Sequence, residues 1–154
     1  MQVDLIAVGK IKEKYIVQGI AEYLKRLSRY VKLEIIEVQD ERAPETLSLA
    51  EAQSVLEREG GRLGKHIRDG AVKIVLAIEG DSFTSEEFAE KLQQYGLSGR
   101  SQIDFVIGGS LGLDPAIIRQ ADLLLSFSKF TFPHQLMRLI LLEQIYRACR
   151  ISKG

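Results

Sequence analysis

Two kinds of apolar spacing alternate along the chain. Val3-Asp4-Leu5-Ile6-Ala7-Val8 is an almost unbroken apolar run that stops at Gly9, which predicts a buried strand. Lys10, Lys12 and Lys14 follow in a loop. From about Tyr15 to Arg29 the spacing becomes helical: Ile16, Ile20, Tyr23, Leu24 and Leu27 share one face, and Lys25, Arg26 and Arg29 suit the negative end of the helix dipole. Lys32 to Val38 predicts a second strand. Gln39 to Thr46, with Pro44, predicts an exposed loop. A charged helix is expected over about 48–68, kinked or broken at Gly60-Gly61 and Gly64. Val72 to Ile78 is the strongest strand signal and is expected to end at Glu79-Gly80. A helix opens at Ser85 with Thr84 or Ser85 as cap and runs to about Tyr95. Gln102 to Ile107 predicts a strand running into Gly108-Gly109. Asp114 caps a short helix that begins at Pro115 and reaches about Gln120. Leu123 to Phe127 is a last short strand, and a helix from His134 to about Arg150 closes the chain. Strand–helix alternation of this kind predicts an α/β fold, a mostly parallel sheet with helices on both faces, as a single domain over residues 1–154.

The last helix changes that picture. Leu136, Met137, Leu139, Ile140, Leu141, Leu142, Ile145, Tyr146, Ala148 and Cys149 surround it almost completely, where a surface helix needs one apolar stripe. The pattern favours burial on one side by its own sheet and on the other by a second copy. The competing explanation is a helix threaded through the middle of the domain.

Composition adds constraints. At 154 residues with 45% apolar and 27% charged positions, the chain has the make-up of a soluble globular protein. One cysteine, Cys149, excludes an internal disulfide and fits a reducing, cytoplasmic setting. The start Met1-Gln2-Val3-Asp4 does not read as a signal peptide, and no apolar run approaches a membrane span. Net charge is zero, but residues 1–32 carry +4, 33–100 carry −6, 101–132 carry −1 and 133–154 carry +3. An RNA-facing surface made from the two basic ends is one reading. Uneven solvated charge is the other.

Ligands in an open parallel sheet bind beyond the carboxyl ends of strands. Three loops stand there: Glu79-Gly80, Gly108-Gly109-Ser110-Leu111-Gly112, and Ser128 to Pro133. The glycine run lacks the lysine of a phosphate loop and the spacing of a dinucleotide-binding turn. By itself it is as consistent with a tight bend as with a binding loop. His66 and His134 are the only histidines and have no metal-ligand spacing, so no metal is expected. Cys149 lies in an apolar helix and reads as core.

These loops carry a resemblance. Ile107-Gly108-Gly109-Ser110-Leu111-Gly112-Leu113, the segment from Leu125 through Ser128-Lys129-Phe130-Thr131-Phe132-Pro133-His134 to Arg138, Glu143-Gln144-Ile145-Tyr146-Arg147-Ala148, and the opening Ile6-Ala7-Val8-Gly9-Lys10 together resemble the RlmH family. Members are SPOUT-class methyltransferases that modify N3 of a pseudouridine in large-subunit (23S) ribosomal RNA. The resemblance covers essentially the whole chain. It implies a homodimer, a C-terminal trefoil knot, and S-adenosyl-L-methionine as methyl donor. Position by position it implies a cofactor pocket of Leu76, Gly109, Ser128, Lys129, Phe130, Thr131, Phe132 and Pro133, with Gly108 as neighbour. Leu76 and the Phe130/Phe132 region would wall the adenine. The ring nitrogen must lose a proton, and Arg138, as a cation, and His134, as a base, are the candidate groups. The competing readings are a helix-surface charge for Arg138 and a helix-start residue for His134. The family continues past Ser152-Lys153-Gly154 into a short tail with Tyr and His that is expected to reach the active site.

Two further functions fit parts of the pattern: a non-catalytic ribosome- or RNA-binding module with the same fold, and a small-molecule enzyme that uses the glycine turn for phosphate. In the methyltransferase reading, the basic ends make the RNA surface, with Lys10, Lys12, Arg138 and Arg147 as candidate contacts.

Overall fold

The structure, a computed structural model, describes residues 1–42 and 45–153; the expected loop residue Pro44 lies outside them. Five strands and five helices follow one another in strict alternation: β1 (Gln2–Val8), α1 (Lys14–Leu27), β2 (Lys32–Val38), α2 (Leu49–Gly64), β3 (Val72–Ser82), α3 (Ser85–Leu97), β4 (Gln102–Ile107), α4 (Pro115–Arg119), β5 (Leu123–Ser126) and α5 (His134–Lys153). The strands form one sheet in the order β2-β1-β4-β3-β5, and every pairing is parallel.

Alternation of side chains along each strand makes two cores. Val3, Leu5 and Ala7 of β1 face the side where α1, α3 and α5 pack, together with Ile74, Phe105 and Leu125. Ile6 and Val8 face the other side, with Val75 and Val106, beneath Leu63 of α2 and Ile117 of α4. The helices therefore cover both faces, as a buried parallel sheet requires.

Local chemistry explains the boundaries. Ser48 and Thr84 each accept from the amide three residues on, while Glu51 and Glu87 reach back to the cap amide, so α2 and α3 both open on a capping box. Asp114 accepts from the Ala116 amide at 3.0 Å and Pro115 follows it at the head of α4.

Two expectations need correction. α2 is not broken at Gly60-Gly61; it runs continuously and ends at Gly64. Gly60 is there for space, since a Cβ on it would stand 2.8 Å from Asp114 Cβ. β3 does not end at Glu79-Gly80. It pauses in a bulge, because Leu125 pairs with both Leu76 and Asp81, and then continues to Ser82. Gly80 permits the fold-back, as a Cβ there would lie 2.7 Å from the Leu124 carbonyl.

The apolar girth of α5 is met in part within the chain. The helix lies on the sheet between α1 and α3, and its own domain accounts for much of that girth. Leu139 packs on Gly19 of α1. Tyr146 meets Tyr23 and Tyr30 edge-on at 5.9 and 6.1 Å between centroids. Gln144 accepts from the Ser85 hydroxyl of α3 at 2.9 Å. Within the one chain Leu136, Met137, Leu139, Ile140, Tyr146 and Cys149 stay only half-buried.

Candidate functional site

A cleft of about 670 Å³ opens at the carboxyl ends of β3, β4 and β5. Three stretches wall it: 76–79 from the start of the β3 bulge, 107–113 after β4, and most of the loop between β5 and α5. The fold thus brings the separately expected loops to one place. Leu76, Gly108, Gly109, Ser128, Phe130, Thr131, Phe132, Pro133 and His134 all line it. Lys129 is exposed and does not line it, and neither does Arg138.

The glycine turn is shaped by its own backbone. The Gly112 amide donates to the Gly109 carbonyl at 3.1 Å, and Gly112 has φ +93°. A Cβ on Gly108 would stand 2.4 Å from the Gly112 carbonyl oxygen. Only glycine fits at 108, so the turn exposes bare backbone to the cleft. The opposite loop is held by its serines. The Ser126 hydroxyl donates to the Ser128 carbonyl at 3.1 Å, and Ser128 Oγ accepts from the Phe130 amide at 3.0 Å. That turn leaves the Phe130 ring 79% exposed at the cleft mouth, so Leu76, Ile107 and Leu113 supply more of the enclosed apolar wall.

The charge of the cleft is informative. Among the described residues no lysine or arginine lines it, and its ionisable groups are Glu79 and His134. Burial, then the nearby Arg138 guanidinium, pushes the His134 imidazole below its ordinary range, against the opposing pull of Asp40. His134 is therefore a neutral imidazole at neutral pH.

Arg138 is not the surface charge that its place on a helix suggested. It is 1% exposed. Nη1 donates to Glu37 Oε2 at 2.6 Å, and Nη2 donates to the carbonyls of Val8 and Gly9. Its two Nη groups are committed to the end of β1 and to β2, while its buried Nε has no partner among the described residues; the burial argues against a free cation on an RNA surface. Arg147 is exposed but engaged with Glu143 one turn away.

Glu59 of α2 carries no sequence signal that would select it. It is 5% exposed, its Oε2 accepts from the Glu41 amide at 3.0 Å, and its Oε1 has no partner among the described residues. A Cβ on Gly109 would lie 3.2 Å from that free oxygen. The carboxyl backs the glycine turn from outside the cleft, and burial raises its pKa. In the sequence it reads as one more charge on an acidic helix.

The donor set fits S-adenosylmethionine. The volume lies within the range of small-molecule sites. Apolar walls and bare turn backbone suit an adenine, and an absence of lining cations with one carboxylate present suits a positively charged ligand rather than a phosphate.

Comparison with known proteins decides the family. A profile described as "Predicted SPOUT methyltransferase" matches residues 1–154. "Ribosomal RNA large subunit methyltransferase H" of Bifidobacterium adolescentis is 60% identical over 154 residues, which is 100% of this chain and 97% of that protein. The proteins of the same name from Acetivibrio thermocellus and Enterococcus faecalis are 55% and 54% identical over the same shares. The chain belongs to the RlmH family of SPOUT methyltransferases. Solved structures agree on the fold. A probable methylase family protein from Haemophilus influenzae Rd KW20 superposes with TM-score 0.54 at 12% identity, covering 99% of this chain and 67% of that one. A putative methylase family protein from Neisseria gonorrhoeae gives 0.56 at 13%, covering 94% and 81%. This RlmH-family chain has no helix, among its described residues, long and apolar enough to cross a membrane.

Proposed function

We propose that this protein methylates large-subunit ribosomal RNA at N3 of a pseudouridine, with S-adenosylmethionine as donor in the cleft between the glycine turn and the Ser128–Pro133 loop. The reading includes a cytoplasmic homodimer and a C-terminal trefoil knot. The observation that carries it is the charge of the cleft: it has a small-molecule volume and apolar walls, no lining cation among the described residues, and Glu79 at its edge. A phosphate-using enzyme needs the opposite electrostatics, which sets the small-molecule hydrolase reading aside. The names of the curated relatives supply the RNA class.

Bound there, the sulfonium would supply the electrophilic methyl group. The protein's own residues have three tasks. Leu76, Ile107 and Leu113 exclude water from one side of the donor. The backbone of Gly108 and Gly109 orients it without a side chain intervening. His134, neutral and lining the cleft, is the base that accepts the N3 proton in this reading, and Arg138, bonded to Glu37 and two carbonyls, does not line the cleft as a cation beside it.

The test is transfer from labelled S-adenosylmethionine to ribosomes and subunits that lack the modification, beside calorimetry with the cofactor alone. Binding with incorporation is expected. Binding without incorporation into any such particle indicates a non-catalytic module, and no binding refutes the cleft assignment.

A further inference from the structure

The loop after β1 has exposed side chains that neither the fold nor the cleft uses. Lys10, Lys12 and Lys14 are exposed, and none of them has a carboxylate within 4.0 Å among the described ion pairs. Beside them Tyr15, in the first turn of α1, is 62% exposed. The next residue, Ile16, is buried, so α1 is anchored from that position onward while the tyrosine is left out.

The loop is fixed at the rim of the cleft. Gln135 Nε2 donates to the Lys10 carbonyl and Gln135 Oε1 accepts from the Lys12 amide, both at 3.3 Å. The residue before Gln135 is His134, which lines the cleft. Local acid does not cancel the lysines. Glu37 is paired with Arg138, and the other acids nearby are Glu13, the one carboxylate within residues 9–15, and Asp40, whose Cβ would lie 3.9 Å from a Cβ on Gly9, two against three lysines.

Exposed cations without described ion pairs, in one short stretch with a solvent-facing aromatic ring, are the chemistry of single-stranded RNA recognition. Cations track phosphates in any nucleic acid, but a free ring gains only from a base that is unstacked. A duplex offers no exposed base face, and an acidic peptide gains little from the ring. We infer that Tyr15 is a stacking platform for an unpaired base of the RNA substrate adjoining the target nucleotide, with Lys10, Lys12 and Lys14 on the flanking phosphates. The inference rests on the RNA methyltransferase reading and names the form of RNA that the site takes.

The chain has no tryptophan, so Tyr15→Trp gives a single fluorescent reporter on a surface position. A single-stranded oligouridylate is expected to quench it, and a blunt RNA duplex of equal length is not. Tyr15→Ala is expected to raise the KM for undermethylated ribosomes about tenfold. Its kcat and its affinity for S-adenosylmethionine should stay unchanged, and Tyr15→Phe and Tyr15→Trp should keep the native KM because stacking does not need the hydroxyl. Absence of quenching, equal quenching by duplex, or a native KM in Tyr15→Ala overturns the platform. A Tyr15→Ala protein with altered mass in solution and weakened cofactor binding also overturns it, in favour of a contact between copies. If wild-type protein transfers no methyl group to ribosomes, the enzyme reading fails, and the quenching experiment still decides the platform.

Discussion

Arg138 of α5 and Glu37 of β2, 101 positions apart, form a 2.6 Å ion pair in which the guanidinium is almost wholly buried and also caps the carbonyls of Val8 and Gly9. The pair pins the last helix to the end of the first strand. Arg138→Ala leaves two buried carbonyls without donors and is expected to cost about 3 kcal/mol. Arg138→Lys, which cannot fork, recovers only part of that. Urea denaturation measures both. A loss below about 0.5 kcal/mol in Arg138→Ala, the size expected of an ordinary surface position, would show the residue to be peripheral.

Protonation of His134 provides a pH signature. Its folded-state pKa lies below the ordinary value of about 6.5 because it is buried and faces Arg138. A depressed pKa means that the unfolded chain binds the proton more readily. The stability due to the neutral imidazole is therefore complete above about 6.5 and is lost as pH falls through the folded value. His134→Gln should lose less stability than wild type between pH 7.5 and pH 5. Equal losses in the two proteins would contradict the burial argument.

Glu59 behaves in the opposite sense. Burial raises its folded pKa above the ordinary 4.5, so its contribution is complete below about that pH and declines as pH rises through the folded value. Glu59→Gln keeps an acceptor for the Glu41 amide and removes the charge. Its stability relative to wild type is expected to improve from pH 5 to pH 8. The check is paired denaturation curves at the two pH values, and a constant difference would refute it.

Glu79 gives a test of the electrostatic reading of the cleft. It is the carboxylate at the cleft wall, and S-adenosylhomocysteine lacks the positive sulfur of S-adenosylmethionine. Glu79→Gln is expected to weaken binding of the methyl donor about threefold and to leave the demethylated product unchanged. Calorimetry with both compounds reads the difference; an equal change for the two would mean that the carboxylate does not sense the sulfur.

The sequence made local features legible and concealed contacts between distant positions. β2 and β4 fall on the expected residues because their apolar runs are bounded by polar ones. Gly108-Gly109 and Ser128–Pro133 meet in one cleft, as strand-end loops of a parallel sheet must. The length of β3 was not legible, since Ala77–Gly80 breaks the strand pattern inside the strand. Gly60-Gly61 suggested a weak helix because the closeness of Asp114 to Gly60 is invisible in one dimension. The burial of Arg138 and of Glu59 was not legible, for a common reason. A charge on a helix is solvated by default, and only a partner far away in sequence makes its burial tolerable.

The β3 bulge separates two duties that a strand usually combines. Leu76 and Asp81 share one ladder partner, and the residues between them take none; Ala77, Ile78 and Glu79 form part of the cleft wall. Substitutions in this stretch reshape the ligand's surroundings without removing a rung of the sheet. The architecture therefore separates cleft-wall positions from ladder positions, a division of labour between neighbouring residues of one strand.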